Sequence, residues 1–357
     1  MEHLAIDLGG RESQICVRSS EGQIIEEKRW PTKGLARYLA HRPPSRVILE
    51  TCTEAFGIAD AALTAGHEVR VVPGTMVRSL GVGSRRTKND RRDAQILSEV
   101  SCRIDLPSVH VPSQKARERK SLCGAREALV EARTKLVNTV RAWLRREARQ
   151  LRSGGIETFP KRVRQGVEEH PTYIERLLLG IEALSEQISE AEKELERLAK
   201  EDLMCQRLMT VPGVGPVTAV RFSAAVDDIA RFSSAHQVQS YLGIVPGEDS
   251  SSERKRITGI TKAGSRKMRW TLVQACWVAR RRRPDDPMVR WSMEIERRRG
   301  KRIAVVALAR KVAGILYAIW RDGSTYDPKR GATTPTSSPP IDLSQTIPLS
   351  KATRKHG

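Results

Sequence analysis

The chain has 357 residues, 39% of them hydrophobic, and carries 63 Lys and Arg against 42 Asp and Glu, a formal net charge of +21. That length accommodates two or three domains with sizeable cores, and so large a cationic surplus favours a polyanionic partner through phosphate neutralisation and counterion release. No run of about 18 uninterrupted apolar residues predicts a membrane span, no signal sequence precedes the first strand pattern, and six scattered cysteines without a Cys-x-x-Cys pair exclude zinc at the usual spacing and predict reduced thiols in the cytoplasm.

The first 75 residues read as strands with one or two helices. Leu4-Ala5-Ile6-Asp7 is an apolar run closed by an acid, and Ile15-Cys16-Val17 and Ile24-Ile25 can follow it as a meander. Gly34 to Leu39 reads as a short helix. Val47-Ile48-Leu49-Glu50 is a second apolar run closed by an acid. A helix from about Ala55 to Ala65 stops at Gly66, and Val69 to Pro73 is the next strand. Three strands followed by alternating helix and strand fit an α/β core of the ribonuclease-H-like kind over residues 1–108. Residues 76–92 are rich in Gly and Arg and are expected to be mobile until nucleic acid binds, with Arg85 and Arg86 as candidate phosphate contacts.

Residues 109–203 predict long helices. From Ser113 to Leu151, Leu122, Leu129, Leu136 and Trp143 recur every seven residues; from Thr172 to Asp202, Leu177, Ile181, Leu184, Ile188, Ala191, Leu195 and Leu198 keep a 4-3 seam. An antiparallel hairpin within one chain and a coiled coil between two chains both satisfy this pattern. Residues 204–327 read as a second, mainly helical unit. Residues 328–357, rich in Pro, Ser and Thr, are expected to be disordered.

Asp7 and Glu50 close apolar strands, while Asp90 and Asp93 sit three apart at the start of a helical pattern and face the same way. Two strand ends and one helical turn can gather these acids around hard cations such as Mg²⁺ or Mn²⁺, which take oxygen ligands and retain water. Two such ions can clamp the oxygens of a phosphodiester. Singly, each acid has an ordinary explanation: a turn residue at Asp7, an edge acid paired to arginine at Glu50, a helix N-cap at Asp90, a first-turn acid at Asp93. Together, in a basic chain, they predict metal-dependent chemistry on nucleic-acid phosphate esters. Ile6-Asp7-Leu8-Gly9-Gly10 also resembles the first phosphate loop of actin-like ATPases and sugar kinases, but the second phosphate loop and the Gly-rich adenosine loop of those enzymes are missing.

Val211-Pro212-Gly213-Val214-Gly215-Pro216-Val217 reads as the hairpin of a helix-hairpin-helix, where Gly213 and Gly215 let backbone N–H groups approach a phosphate. A plain connection between two helices is the alternative. Further on, Ser250-Ser251-Ser252 precedes Arg254, Lys255, Arg256, Lys262, Arg266 and Lys267. A serine run is ordinarily a polar turn, but beside these cations a serine hydroxyl can attack a phosphorus held in a positive pocket.

Several motifs occur in order: Glu50 with Gly57, Gly66-His67-Glu68-Val69, Lys88-Asn89-Asp90 with Asp93-Ala94, the Val211 to Pro216 hairpin, Tyr241-Leu242-Gly243-Ile244-Val245-Pro246, the serine run, and Gly259-Ile260-Thr261-Lys262-Ala263-Gly264. The set resembles the DEDD-type insertion-sequence transposases, which join a RuvC-like domain to a serine-bearing transposase domain. The resemblance covers about residues 3–325. It implies that Asp7, Glu50, Asp90 and Asp93 are the acidic quartet and that Ser251, five residues after Pro246, is the nucleophile of a covalent phosphoserine intermediate. Ser252 stands where the family often has Gly, which leaves Ser250 and Ser252 open for that role, and Asn89 replaces a common Thr. The resemblance further implies donor and target DNA, an element-encoded structured guide RNA, and a homo-oligomer, a dimer or a dimer of dimers on DNA. The competing readings are a metal nuclease or junction resolvase using water, and a nucleic-acid-binding protein in which the acids are structural.

Overall fold

The structure is a computed structural model that describes residues 1–79, 90–167, 169–251 and 254–331. The chain divides into two units, Met1–Gln114 and Lys115 onward. The first unit holds β1 (His3–Asp7), β2 (Glu12–Arg18), β3 (Ile24–Pro31), α1 (Leu35–Ala40), β4 (Arg46–Glu50), α2 (Ala55–Thr64), β5 (Glu68–Val72), α3 (Gly74–Ser79) and α4 (Asp90–Arg103). Its sheet has the order β3-β2-β1-β4-β5. The first three strands form the expected antiparallel meander, and β4 runs parallel to β1 and β5.

Side chains alternate across this sheet with period two. Leu4, Ile6, Val47 and Leu49 face a core completed by α1 and α2. Ala5, Ile48 and Val72 face the other way, onto Val77 of α3 and Leu97 of α4. Burial on both faces explains why β1 and β4 are continuous apolar runs rather than alternating ones. Residues 76–79, expected to be mobile until nucleic acid binds, belong to α3, and α4 begins at Asp90. Arg85 and Arg86 lie outside the described residues.

In the second unit, α5 (Gln114–Arg146) and α7 (Thr172–Glu201) run antiparallel, joined through α6 (Phe159–Gly166). Arg126 pairs with Glu192, Arg133 donates to Ser185 Oγ at 3.2 Å, and Val137, Val140 and Leu144 share an apolar cluster with Ile174, Leu178 and Ile181. Within the chain, α5 and α7 thus form an antiparallel hairpin. α5 stops earlier than expected, and Ala148 has a positive φ of 53°. Its buried apolar side chains include Cys123, Val137, Val140, Trp143 and Leu144; of the seven-residue column Trp143 is buried, while Leu122, Leu129 and Leu136 are half-buried. A straight helix drifts about 20° per heptad, so one seven-residue column does not stay on the contact line.

Asp202 joins these helices to the rest of the unit. Its carboxylate accepts from the N–H groups of Met204 and Cys205 at 2.9 and 3.1 Å, capping α8 (Leu203–Leu208), and it pairs with Arg119 and with Lys115. Arg119 also donates to Ser223 Oγ of α9 (Pro216–Val226) at 2.9 Å. Burial alone would raise the Asp202 carboxyl, but Arg119, the Cys205 N–H and Lys115 outweigh it and hold it far below the usual carboxylate range.

Then follow α10 (Ala235–Tyr241), the hairpin of β6 (Pro246–Ser251) and β7 (Arg254–Ile260), α11 (Arg266–Arg282), α12 (Pro287–Arg299), α13 (Lys301–Asp322) and the short α14 (Pro328–Gly331). The disorder expected from residue 328 falls, beyond α14, outside the described residues. α13 is long and apolar enough to cross a membrane by composition. Its Leu308, Val312 and Leu316 are instead fully or almost fully buried, and it packs on α8, α10, α11 and α12 as the central helix of this unit. The six cysteines are free thiols, four of them buried.

Candidate active site

The strand register decides where the two strand acids stand. β1 and β4 pair in parallel with Ile6 beside Leu49, so Asp7 and Glu50 are the next positions on neighbouring strands, both at carboxyl ends. Ile6 and Leu49 face α1 and α2. Alternation then turns Asp7 and Glu50 to the opposite face, the one covered by α3 and α4.

α4 lies on that face and runs antiparallel to β1. His3 Nδ1 and Ser101 Oγ are 2.8 Å apart at one end, and Ala5 and Leu97 share a core cluster in the middle. Four residues of helix rise about 6 Å and two residues of strand about 6.6 Å. The next equal step leads to Asp93 and Asp7. Asp90 opens the same helix, one turn earlier; its side chain lies outside the described set. The sheet and α4 thus bring the strand-end acids and the first turn of α4 to one rim.

Two further features hold this rim. Arg91 donates to Glu27 Oε2 of β3 at 3.1 and 2.5 Å, and Gln95 also donates to Glu27, so the first turns of α4 are tied down to the sheet. The hydrogen bonds from Arg91 hold the Glu27 carboxyl below its ordinary range. Gly74 opens α3 beside Glu50, and a Cβ there would lie 2.8 Å from Glu50 Oε1. Glycine leaves that carboxylate its space. Neither Glu27 nor Gly74 was singled out by the sequence pattern.

Among the described residues, no three His, Cys, Asp or Glu side chains converge closely enough to form a group that could hold an ion. An open rim still fits a hard divalent cation, which takes one or two protein carboxylates and fills its remaining positions with water and substrate oxygens. Asp7, Glu50 and Asp93 are the described acids of this rim, and Gly74 leaves room beside the Glu50 carboxylate.

In the second unit the serine run is not a loop. Ser250 and Ser251 are the last residues of β6, and the register pairs Asp249 with Arg256, Ser250 with Lys255 and Ser251 with Arg254. The strand pair is polar in sequence, with no hydrophobic alternation to betray it. Ser252 lies outside the described residues. The hairpin base is clamped: Thr261 N donates to Val245 O and Lys262 N to Gly243 O, both at 3.0 Å, while Arg269 of α11 donates to Leu242 O at 3.2 Å and Gly264 O at 2.5 Å. A Cβ on Gly264 would sit 2.0 Å from Tyr241 O. The Tyr-Leu-Gly and Lys-Ala-Gly motifs are thus two sides of one close contact that aims the hairpin.

The other expected phosphate contacts divide. Arg254, Lys255 and Arg256 lie on β7. Lys262 follows it with a positive φ of 58°. Arg266 opens α11, and Lys267 Nζ is 3.2 Å from Glu127 of α5. Gly215 precedes α9 with open space around it, whereas a Cβ on Gly213 would meet Ala275 O of α11 at 2.1 Å. Helix packing is the reason for that glycine.

A DEDD transposase description of the IS110 type matches residues 4–147, and the transposase IS116/IS110/IS902 family matches residues 205–289. The transposase for insertion sequence element IS1328 of Yersinia enterocolitica is 29% identical over 334 residues, covering 90% of this chain and 98% of that relative. The transposase for IS1111A of Coxiella burnetii is 28% identical over 332 residues, covering 90% of both chains. A transposase of Sinorhizobium fredii, y4qE, is 30% identical over 304 residues, covering 76% of this chain and 75% of the relative. These likenesses define a transposase, an enzyme that cleaves and recombines DNA. The chain belongs to the IS110/IS116 family of insertion-sequence transposases, and its DEDD domain has the RuvC-like fold.

Proposed function

We propose that this transposase cuts and rejoins DNA with Asp7, Glu50, Asp90 and Asp93 holding Mg²⁺ or Mn²⁺ and with Ser251 as the nucleophile. The observation that carries the reading is the rim on the first unit, where the carboxyl ends of β1 and β4 meet the first turn of α4. When bound, the cations withdraw charge from the oxygens of the scissile phosphate. The four carboxylates hold and orient that charge, and Glu27, through Arg91 and Gln95, keeps the helix turn in place.

Ser251 ends β6, the strand whose hairpin base is clamped. Its Oγ bonds to phosphorus as the phosphorus–oxygen bond to one DNA fragment breaks. The serine proton is given up, and the departing DNA oxygen leaves as a hydroxyl. The phosphoserine ester keeps the bond energy, so a hydroxyl of another DNA end can reverse the step and complete strand exchange. In this reading the acids of one protomer meet the serine of another in a dimer or a dimer of dimers on DNA, which ties cutting to assembly. Donor and target are selected by a structured RNA encoded by the element. The support for the oligomer and for the RNA is the family likeness.

The test is a denaturing-gel shift of the protein on labelled DNA carrying its site, with Mg²⁺ present. Wild type should form a covalent adduct, while Ser251→Ala and Asp93→Ala should bind DNA and form none. An adduct that survives Ser251→Ala but not Ser250→Ala or Ser252→Ala moves the nucleophile within the run. Cutting by wild type without any adduct sinks the serine step in favour of water.

A further inference from the structure

The cations of the second unit fall into two groups once their partners are known. Arg280, within the run from Arg280 to Arg283, is engaged: it donates to Ser292 Oγ at 2.5 Å and pairs with Glu296, and its side chain is 10% exposed. The corner between α12 and α13 is different. Arg297, Arg298, Arg299, Lys301 and Arg302 flank Gly300, and all five are exposed. Among the described residues none of the five has an ion pair. Glu296 is held by Arg280, and Glu294 pairs with none of them.

Fold stability does not account for this concentration of charge. Cations suit the carboxyl end of α12, but Lys301 and Arg302 occupy the first turn of α13, where the helix dipole disfavours them and no acid compensates. Five like charges in six positions also repel one another. Gly300, with φ +84° and nothing within 4 Å of a Cβ built on it, turns the chain so that the end of one helix and the start of the next carry their cations on one corner. The nearby aromatic ring is engaged too: Lys301 Nζ lies 5.3 Å and Arg280 Cζ 5.8 Å from the Trp277 ring centre. A ring so occupied suits phosphate contact beside it rather than base stacking.

We propose that the α12–α13 corner is a sequence-independent clamp for the phosphodiester backbone of a nucleic acid, built from residues other than those of the acidic rim and the serine hairpin. The ligand chemistry is a row of phosphates, supplied by DNA duplex or by folded RNA. The inference rests on the chain being a DNA-acting transposase and not on its metal or serine chemistry.

The experiment compares the full-length protein with the triple variant Arg298→Gln, Arg299→Gln, Arg302→Gln; Lys301 is kept because it packs on Trp277. A second triple variant, Arg176→Gln, Lys193→Gln, Arg197→Gln, removes the same charge from α7, where acids flank each cation. Affinity for a 30-base-pair DNA duplex and for an RNA hairpin of similar size is measured by fluorescence anisotropy in EDTA across a salt series. Because no metal is present, failure of the cleavage reading leaves this test intact. Each lost phosphate contact should lower the slope of log affinity against log salt by about one, so the corner variant should lose about three, with affinity weaker by roughly tenfold or more. Loss on the duplex alone assigns the clamp to DNA, loss on the hairpin alone assigns it to RNA, and loss on both supports a shared phosphate track. Unchanged slopes in both arms, or an equal loss in the α7 variant, overturn the proposal, since the second result reduces the effect to net charge.

Discussion

Gly74→Ala probes the acidic rim without removing a charge. A Cβ at position 74 would stand 2.8 Å from Glu50 Oε1, and ordinary contact begins near 3.4 Å, so the carboxylate must retreat by about 0.6 Å. The retreat is cheap for the fold, because the atom is the far end of a flexible side chain and alanine is a better helix former than glycine. It is expensive for chemistry: a misplacement of about 1 Å can cost on the order of 10²-fold in rate, so about 0.6 Å should cost roughly tenfold. We expect DNA cleavage at fixed Mg²⁺ to fall by about that factor, the half-saturating Mg²⁺ concentration to rise, and the melting temperature to stay within about 2 °C of wild type. Cleavage rate against Mg²⁺ concentration, with thermal melts on the same samples, reads both effects. Unchanged cleavage and unchanged Mg²⁺ dependence in a folded Gly74→Ala protein would refute Glu50 as a ligand positioned by this contact.

Asp202→Ala should lower the stability of the second unit by about 3–5 kcal/mol, because Arg119, 10% exposed at its side chain, is left without a carboxylate and α8 loses its cap. That is a fall of about 10 °C or more in the melting temperature of this unit. Its pH dependence has a definite sign. The folded Asp202 carboxyl is depressed, so the wild-type advantage is complete above the unfolded value of about 3.9 and shrinks as pH falls below it; an advantage that grew on acidification would contradict the pairing. Ile181→Asp with Ile188→Asp buries charge where the side chains are 0% and 3% exposed within one chain, so heat stability should drop by several kcal/mol with no smaller folded species in light scattering.

The residues of the candidate site stand where local pattern alone places them. Asp7 and Glu50 each end an apolar run, and a strand end is where a parallel sheet offers side chains to a ligand. Asp90 and Asp93 begin a helix because acids suit a first turn. The meander, the helix stop at Gly66 and both long helices followed from period and capping in the same way. The polar strand at Ser250 and Ser251 did not, because its partner residues are charges with no hydrophobic alternation.

By itself, then, the sequence determined which residues carry the acids, the cations and the apolar stripes, since propensity and periodicity depend on near neighbours. Tertiary structure decided which of them meet. Only the antiparallel seating of α4 on β1 brings the first turn of α4 to the end of the sheet where β1 closes, and only packing on α11 explains Gly213. Only the α11–α12 contact removes Arg280 from the free cations while leaving those around Gly300 exposed. Only the pairing of α5 with α7 turns a seam that suits two chains into a hairpin within one. Each is a contact between segments far apart in the chain, fixed by which apolar faces bury one another and which charges then find partners, and no local pattern encodes that choice.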